Sequence, residues 1–199
     1  GEERHGARRQ QHRDDRPPDC RAAEGSHGDY LTLVPLIPLH GHETLRQRLA
    51  EQADRGTLPA SLLLMGPAGV GKQRLALELG QRLLCEGASK PCGVCEQCRF
   101  SLQLQHPDLR WFFPRPRITG DPALEEVQEE YDAAVHERVQ AHGLYSRPDG
   151  SSGIFIYVTR LLIQLASRSP AMARRKVFVI GDAELMAPQA SSTEGANAF

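Results

Sequence analysis

The sequence predicts an α/β fold, because apolar runs of strand length alternate with segments of helical periodicity. The first run, Leu62–Met65, breaks at Gly66 into a glycine-rich loop, and regularly spaced leucines then predict a helix to about Leu84. Two later apolar runs, 109–113 and 176–180, predict a second and a third buried strand.

The glycine-rich loop is the strongest functional signal in the chain. Its spacing is GxxxxGK, and it comprises Gly66, Pro67, Ala68, Gly69, Val70, Gly71, Lys72 and Gln73. Between a strand and a helix, such a loop turns backbone N–H groups and the positive end of the helix dipole toward a phosphate. Lys72 would add a mobile cation for the β- and γ-phosphates of ATP. A plain glycine turn is the less favoured alternative.

Gln73 departs from the usual pattern of such a loop. A Ser or Thr normally follows the lysine, and its hydroxyl ligates Mg²⁺. An amide is a poorer ligand for a hard cation, although it can hydrogen-bond a phosphate or a metal-bound water. We therefore expect phosphate binding to tolerate Gln73 better than ATP hydrolysis does.

A cluster of cysteines follows the loop helix at the spacing C-x6-C-x2-C-x2-C: Cys85, Cys92, Cys95 and Cys98. Four thiolates close a tetrahedral shell around Zn²⁺, and a site with no open position is structural rather than catalytic. We expect the metal to stabilise a short segment, residues 85–98, that has little hydrophobic core of its own. An iron–sulfur cluster and buried free thiols are the alternatives.

Composition limits the classes of function. The chain has 199 residues, a formal net charge of −1 and a pI near 6.8. It therefore lacks the overall excess of basic residues that is typical of nucleic-acid-binding proteins. No run of about 18 apolar residues is present, which predicts no membrane span. The cysteine pattern and the N-terminal composition indicate a reducing compartment, and we expect the cytoplasm.

The first 29 residues are rich in Arg and His and hold almost nothing apolar, so we expect 1–29 to be a disordered tail. Acidic residues nearly cancel its charge. That balance favours a solvated tail, or an overextended reading frame, over a basic arm for nucleic acid. The folded domain is expected over 30–199, and Cys20 is assigned no role.

One further helix is predicted before the glycine-rich loop and another after the cysteines. Leu45, Leu49 and Ala53 give the first of them an apolar face. The second is predicted over 99–105, where His106-Pro107-Asp108 ends it, and a turn is favoured over a metal-ligand role for His106.

Residues 114–153 predict an insertion built around an amphipathic helix that is dense in glutamate. The helix is expected over 121–142, with Asp121-Pro122 as its N-cap and first turn. Its acidic face is expected to be solvated surface. A polar, glycine-rich loop and a helix to about Ser167 follow.

The third strand ends at Gly181-Asp182. In a phosphate-loop ATPase, acidic residues at this place hold Mg²⁺ and polarise water. Asp182 is therefore the candidate catalytic residue. The last residues, to Phe199, predict the start of a helix.

Several of these stretches together resemble one family: Gly41-His42-Glu43, the loop 66–73, Leu84-Cys85 with the knuckle, His106-Pro107-Asp108, Asp182-Ala183-Glu184 and 194–198. Over roughly residues 35–199 the chain resembles the N-terminal ATPase domain of bacterial DNA polymerase III clamp-loader subunits, in the AAA+ superfamily. The delta-prime type is the most similar. A four-cysteine insertion directly after the loop helix is the specific feature.

The resemblance implies a P-loop NTPase sheet that is parallel, has helices on both faces and carries an inserted four-cysteine zinc knuckle. It also implies ATP as ligand and DNA replication as the process, in which the family loads a ring-shaped clamp on primed DNA. The implied partners are the other clamp-loader subunits (gamma/tau and delta), the sliding clamp and, through the complex, primed DNA. No polymerase active site is expected in this chain.

The chain departs from the family in ways that bear on catalysis. In the family the third strand ends in two acidic residues, and Gly181 stands where the first would ligate Mg²⁺. With Gln73, both expected protein ligands are altered, which leaves Mg²⁺ binding open and predicts weak or no ATPase activity. The family's fourth strand, which lies between the loop strand and the third strand, is missing. We therefore expect an incomplete sheet and a C-terminally truncated fragment.

Three alternatives stay open. One is a gamma/tau-type clamp-loader ATPase subunit, and another is a stand-alone zinc-bearing P-loop ATPase or kinase. No candidate acceptor site or lid for a kinase is evident. The third is an interaction module in which the nucleotide loop is vestigial.

Overall fold

The computed structural model describes residues 39–142 and 152–186. The expected tail 1–29, the segment after Met186 and the family-like residues 194–198 lie outside these ranges.

Five helices and four strands form the described part of the chain, with a 3-10 helix after the last strand. The helices are α1 Glu43–Asp54, α2 Lys72–Leu84, α3 Glu96–Leu102, α4 Leu124–Gln140 and α5 Ile156–Ser167; the strands are β1 Leu109–Phe112, β2 Arg115–Pro116, β3 Ser152–Gly153 and β4 Val177–Ile180; the 3-10 helix is Ala183–Met186. Within the described ranges, none of the helices is long and apolar enough to cross a bilayer.

The second and third predicted strands are confirmed as β1 and β4, which pair in parallel with Leu109 opposite Val177. Gly181 N–H donates to Phe112 O at 2.8 Å, which extends the pairing past the end of β4. Because the strands are parallel, their carboxyl ends lie at one edge of the sheet. That edge is where ligands bind in open α/β sheets.

Side chains alternate across this small sheet and divide the core in two. One face packs on α2, with Leu77, Leu84, Leu109, Trp111, Phe113 and Val179 in one cluster. The other face packs on α4 and α5, with Phe112, Val127, Tyr131, Val158, Leu161 and Leu162 among its residues. Helices therefore cover both faces, and the predicted α/β class is confirmed.

The prediction of a buried strand at Leu62–Met65 is wrong. Residues 61–67 form no strand, and the side chains of Leu63 and Met65 are 75% and 82% exposed. Only Leu64 of this run packs against the cluster between α1 and α2. The reason is that an apolar run becomes a buried strand only beside another strand. Among the described residues β4 pairs with β1 alone.

Helix α4 begins later than predicted. Its N-cap is Ala123 and its first residue is Leu124, so Asp121-Pro122 is not its start. Asp121 instead lies 3.4 Å from Arg160 of α5, in an exposed ion pair.

The ends of the expected insertion lie side by side, because β2 and β3 pair antiparallel with Arg115 opposite Gly153. Between them α4 buries Tyr131, whose hydroxyl donates to Phe113 O at 2.7 Å. The outer face of α4 is acidic and exposed, as predicted: Glu125, Glu126, Glu129 and Glu137. The helix is thus part of the core as well as of the surface.

The His106-Pro107-Asp108 segment is a hydrogen-bonded turn, as predicted. His106 Nδ1 accepts from Asp108 N–H at 2.9 Å, and Nε2 lies 2.6 Å from Gln97 Oε1. The Asp108 carboxylate accepts three backbone N–H groups at 2.8 Å each, from residues 171–173. Burial would raise the pKa of Asp108, but these three N–H groups hold it below its ordinary value.

Replacing Asp108 by Asn should lower the free energy of unfolding by about 1–3 kcal/mol at neutral pH, because the charge-assisted bonds to residues 171–173 are weakened. Because the folded pKa of Asp108 is depressed, its stabilisation is present above the unfolded pKa of about 3.9 and is lost as pH falls through the folded pKa. The gap between the two proteins should therefore close below about pH 4.

Urea unfolding at several pH values measures this gap. The exposed Asp121 gives a matched control, and Asp121→Asn should change stability by less than about 0.5 kcal/mol. Equal urea midpoints for Asp108→Asn and the wild type at pH 7 would contradict the assignment.

Candidate nucleotide and metal sites

The glycine-rich loop reaches α2 through two left-handed glycines, Gly69 with φ 77° and Gly71 with φ 90°. Residues with a Cβ atom rarely adopt this backbone conformation. Gly71 is the N-cap of α2, so the loop delivers the chain directly into the first helical turn. The N–H groups of that turn have no intrahelical acceptor, and they are therefore available to an anion.

Lys72 lies against the start of its own loop. Its Nζ donates to Gly66 O and Pro67 O, both at 2.9 Å. His42 Nε2 lies 3.2 Å from Val70 O, which links the loop to the residue before α1. The loop is thus held at both ends, with the ammonium group beside its backbone.

The side chain of Gln73 is held between β1 and the turn that follows β4. Its Oε1 accepts from Trp111 Nε1–H at 3.0 Å. A Cβ placed on Gly181 would lie within 2.5 Å of three atoms of the Gln73 amide. The amide therefore fills the space that a side chain at position 181 would need, and the two departures from the phosphate-loop pattern are neighbours in space.

Asp182, the candidate catalytic residue, follows Gly181 and is half-buried, with a left-handed φ of 50°. Its carbonyl accepts from Leu185 N–H at 2.9 Å, which closes the turn into the 3-10 helix. Because Gly181 abuts Gln73, the backbone of Asp182 leaves the sheet beside the glycine-rich loop.

The four predicted ligand cysteines come together. The Sγ atoms of Cys85, Cys92, Cys95 and Cys98 all lie within 4.8 Å of one another, and Cys92 alone is not fully buried. Cys85 and Cys95 Sγ are 3.9 Å apart. A tetrahedral zinc site with Zn–S bonds of about 2.3 Å places its sulfurs about 3.8 Å apart, so the cluster fits one ion.

Backbone N–H groups prepare these sulfurs for negative charge. Cys85 Sγ accepts from the N–H groups of Gly87 and Cys92, and Cys92 Sγ accepts from that of Cys95, all at 3.3 Å. The Cys98 thiol donates to Cys85 and lowers its pKa to about 5, whereas this donation and burial raise the pKa of Cys98. Four thiolates so close together require a cation.

Sulfurs this close favour a single ion over a multi-iron cluster, in which the thiolates bind separate irons.

Arg82 connects the cysteine segment to the rest of the fold. Its guanidinium donates to Lys90 O and pairs with Asp54 of α1. Helix α3 then begins directly after Cys95.

Trp111 is the site residue that sequence reasoning missed. It is buried, and the Arg138 guanidinium lies 4.3 Å from the centre of its ring and 3.1 Å from that of Phe113. The available signal was a lone tryptophan in β1 on the face that packs on α2. Its ring N–H needs an acceptor when buried, and Gln73 is that acceptor.

A parallel sheet covered on both faces, a glycine-rich loop that caps a helix, and a buried four-cysteine cluster define a P-loop-like α/β protein with a candidate zinc knuckle. The family model described as "DNA polymerase III, delta subunit" matches residues 41–193. The chain belongs to this family. The match includes both the loop and the cysteines.

Two characterised relatives agree with the family. The chain is 44% identical over 62 residues to DNA polymerase III subunit delta' of Pseudomonas aeruginosa, which covers 30% of this chain and 18% of that protein. It is 30% identical over 84 residues to DNA polymerase III subunit delta' of Bacillus subtilis strain 168. This match covers 42% of this chain and 26% of the Bacillus protein. The matches thus span about a fifth and a quarter of those proteins. No solved structure matches the chain.

Protein purified without added metal should contain about one zinc per chain, because the sulfur spacing suits one tetrahedral ion. Cys95→Ser should lose most of that zinc. Elemental analysis measures the content, and Cys20→Ser is the matched control that should keep it. Zinc near zero in the wild type, or brown iron–sulfur absorbance, would refute the zinc assignment.

Gly181→Ala should destabilise the fold by about 1–3 kcal/mol, because the new methyl group overlaps the Gln73 amide. Gln73→Ala removes that overlap, so the double variant should recover most of the loss. A double-mutant cycle by urea unfolding measures the coupling. Strictly additive effects would show that the two residues are not in contact.

Proposed function

We propose that this chain is a delta-prime-like subunit of the DNA polymerase III clamp loader and helps to load the sliding clamp on primed DNA in the cytoplasm. The observation that carries the proposal is the family match over residues 41–193. The proposed partners are the gamma/tau and delta subunits, the sliding clamp and, through the complex, primed DNA. The names of the Pseudomonas and Bacillus relatives support this role.

In this proposal residues 30–199 belong to an AAA+ nucleotide-binding domain. The parallel pairing of β1 and β4 and the helices on both faces of the sheet support it. The knuckle over 85–98 holds a structural Zn²⁺, and the insertion over 114–153 contributes α4 to the core.

The loop 66–73 is the proposed site for the phosphates of ATP. The left-handed glycines and the N-terminus of α2 at Gly71 support it, since the N–H groups of a first helical turn have no intrahelical acceptor. Lys72 would exchange its bonds to the loop carbonyls for stronger, charge-assisted bonds to phosphate oxygens.

Little or no hydrolysis is expected from this chain. Phosphoryl transfer uses a metal ion held by a loop hydroxyl and a strand-end carboxylate. Gln73 and Gly181 occupy those two places, and their contact leaves no room for a carboxylate at 181. Asp182 is the remaining candidate to orient a water. A gamma/tau-type ATPase, or a stand-alone ATPase or kinase, would need the metal-binding pair, so a subunit that holds or senses nucleotide is favoured.

Mixed with delta and gamma/tau subunits of the same organism, the chain should co-elute with them in size-exclusion chromatography. The mixture should load the sliding clamp on primed DNA faster than delta and gamma/tau alone. A chain that elutes by itself, and whose omission leaves loading unchanged, would contradict the proposed role.

Lys72→Ala should weaken ATP binding by about tenfold or more, because it removes the cation of the loop and its charge-assisted bonds. Calorimetric titration measures the affinity. The exposed Lys90 provides a control with the same change of charge, and Lys90→Ala should bind ATP as the wild type does. Equal affinities of the wild type and Lys72→Ala would show that the loop is not a phosphate site.

A further inference from the structure

The two positions that hold the metal ion in a P-loop ATPase touch each other in this chain. Gln73 follows the loop lysine, and Gly181 follows β4. Because Gly181 has no side chain, the Gln73 amide lies directly against its Cα, where a Cβ would come within 2.5 Å of the amide atoms. The amide occupies the path by which an acidic side chain would reach the metal.

The hydrogen bond from Trp111 distinguishes the oxygen of the Gln73 amide from its nitrogen. The indole N–H can only donate, so the Gln73 atom 3.0 Å from it is the oxygen. The opposite end is Nε2, with two N–H donors. Trp111 is itself held, because it is buried in the cluster with α2 and its ring carries the Arg138 guanidinium at 4.3 Å. The amide is therefore oriented by packing.

This orientation disfavours a divalent cation. Mg²⁺ requires oxygen ligands in near-octahedral geometry. Gln73 Oε1 already accepts from Trp111, and Gly181 offers no side-chain oxygen. The Nε2 group is the positive end of the amide dipole, and Gln73 itself belongs to the first turn of α2, where the helix dipole has the same sign. Both features favour an anionic oxygen.

We propose that Gln73 Nε2 donates directly to a phosphate oxygen of ATP and takes the place of Mg²⁺, so that this chain binds ATP without a divalent cation. The inference rests on the proposed nucleotide-binding role of the loop. Lys72 supplies the positive charge, and Gln73 supplies the second set of donors.

Titration of the purified chain with ATP, once in a buffer passed over a chelating resin before the protein is added (the divalent-free buffer) and once in excess Mg²⁺, tests this inference. EDTA is not used, because it would remove the proposed zinc from the cysteine cluster. The two affinities should agree within about twofold. Binding more than about tenfold weaker in the divalent-free buffer would overturn the inference while the nucleotide role of the loop stands. No binding in either buffer would overturn both. Assembly with delta and gamma/tau is read out separately and does not depend on the result.

Gln73→Glu is the matched variant, since it keeps size and shape and replaces the donor by a carboxylate. In the divalent-free buffer its ATP affinity should fall by about tenfold or more, and Mg²⁺ should restore part of the loss. Gln73→Met, of similar length and without donors, should lose affinity in both buffers. Zinc content and urea unfolding check that the variants fold. Wild-type affinity of both variants in the divalent-free buffer would overturn the proposed contact.

Discussion

The glycine-rich loop, β1 and the turn after β4 meet at one side chain, Gln73. The residue lies in the first turn of α2, accepts a hydrogen bond from Trp111 in β1 and packs on Gly181. Each contact depends on the parallel pairing of β1 and β4, because that pairing brings their carboxyl ends to the same edge. The geometry of the proposed nucleotide site therefore follows from the small sheet.

The same arrangement connects distant parts of the sequence to this site. Arg138 of α4 lies over the rings of Trp111 and Phe113, so a helix from the expected insertion supports the residue that orients Gln73. A cation on an aromatic face contributes about 0.5–2 kcal/mol, more when water is excluded. The cysteine cluster begins at the other end of α2, where Arg82 and the backbone N–H groups that face its sulfurs hold it. The two sites thus lie at opposite ends of one helix.

Local patterns predicted most of the fold. The glycine loop, the helix with Leu75 and Leu79, and the apolar run of β4 follow directly from periodicity, since each pattern and its burial coincide. Burial of Leu62–Met65 could not be predicted this way, because it depends on a neighbouring strand rather than on the run itself. The start of α4 was missed because its N-cap is Ala123, whose side chain cannot cap a helix and gives no local signal of a helix start.

The two sites differ in what the sequence revealed. Cys85, Cys92, Cys95 and Cys98 were predicted as one metal site, because ligand spacing alone carries that information. Gln73 and Gly181 were each predicted as departures from a pattern. Their contact was not, because residues so far apart in sequence carry no local signal of fitting together.

The nitrogen-15 NMR spectrum of the indole N–H tests the contact between Trp111 and Gln73 most directly. Trp111 is the chain's one tryptophan, so its indole resonance needs no further assignment. The account predicts slow exchange of this proton with water and a clear shift of the resonance in both Gln73→Ala and Gly181→Ala, because the first removes the acceptor and the second displaces it. An indole resonance unchanged in Gln73→Ala would contradict the account.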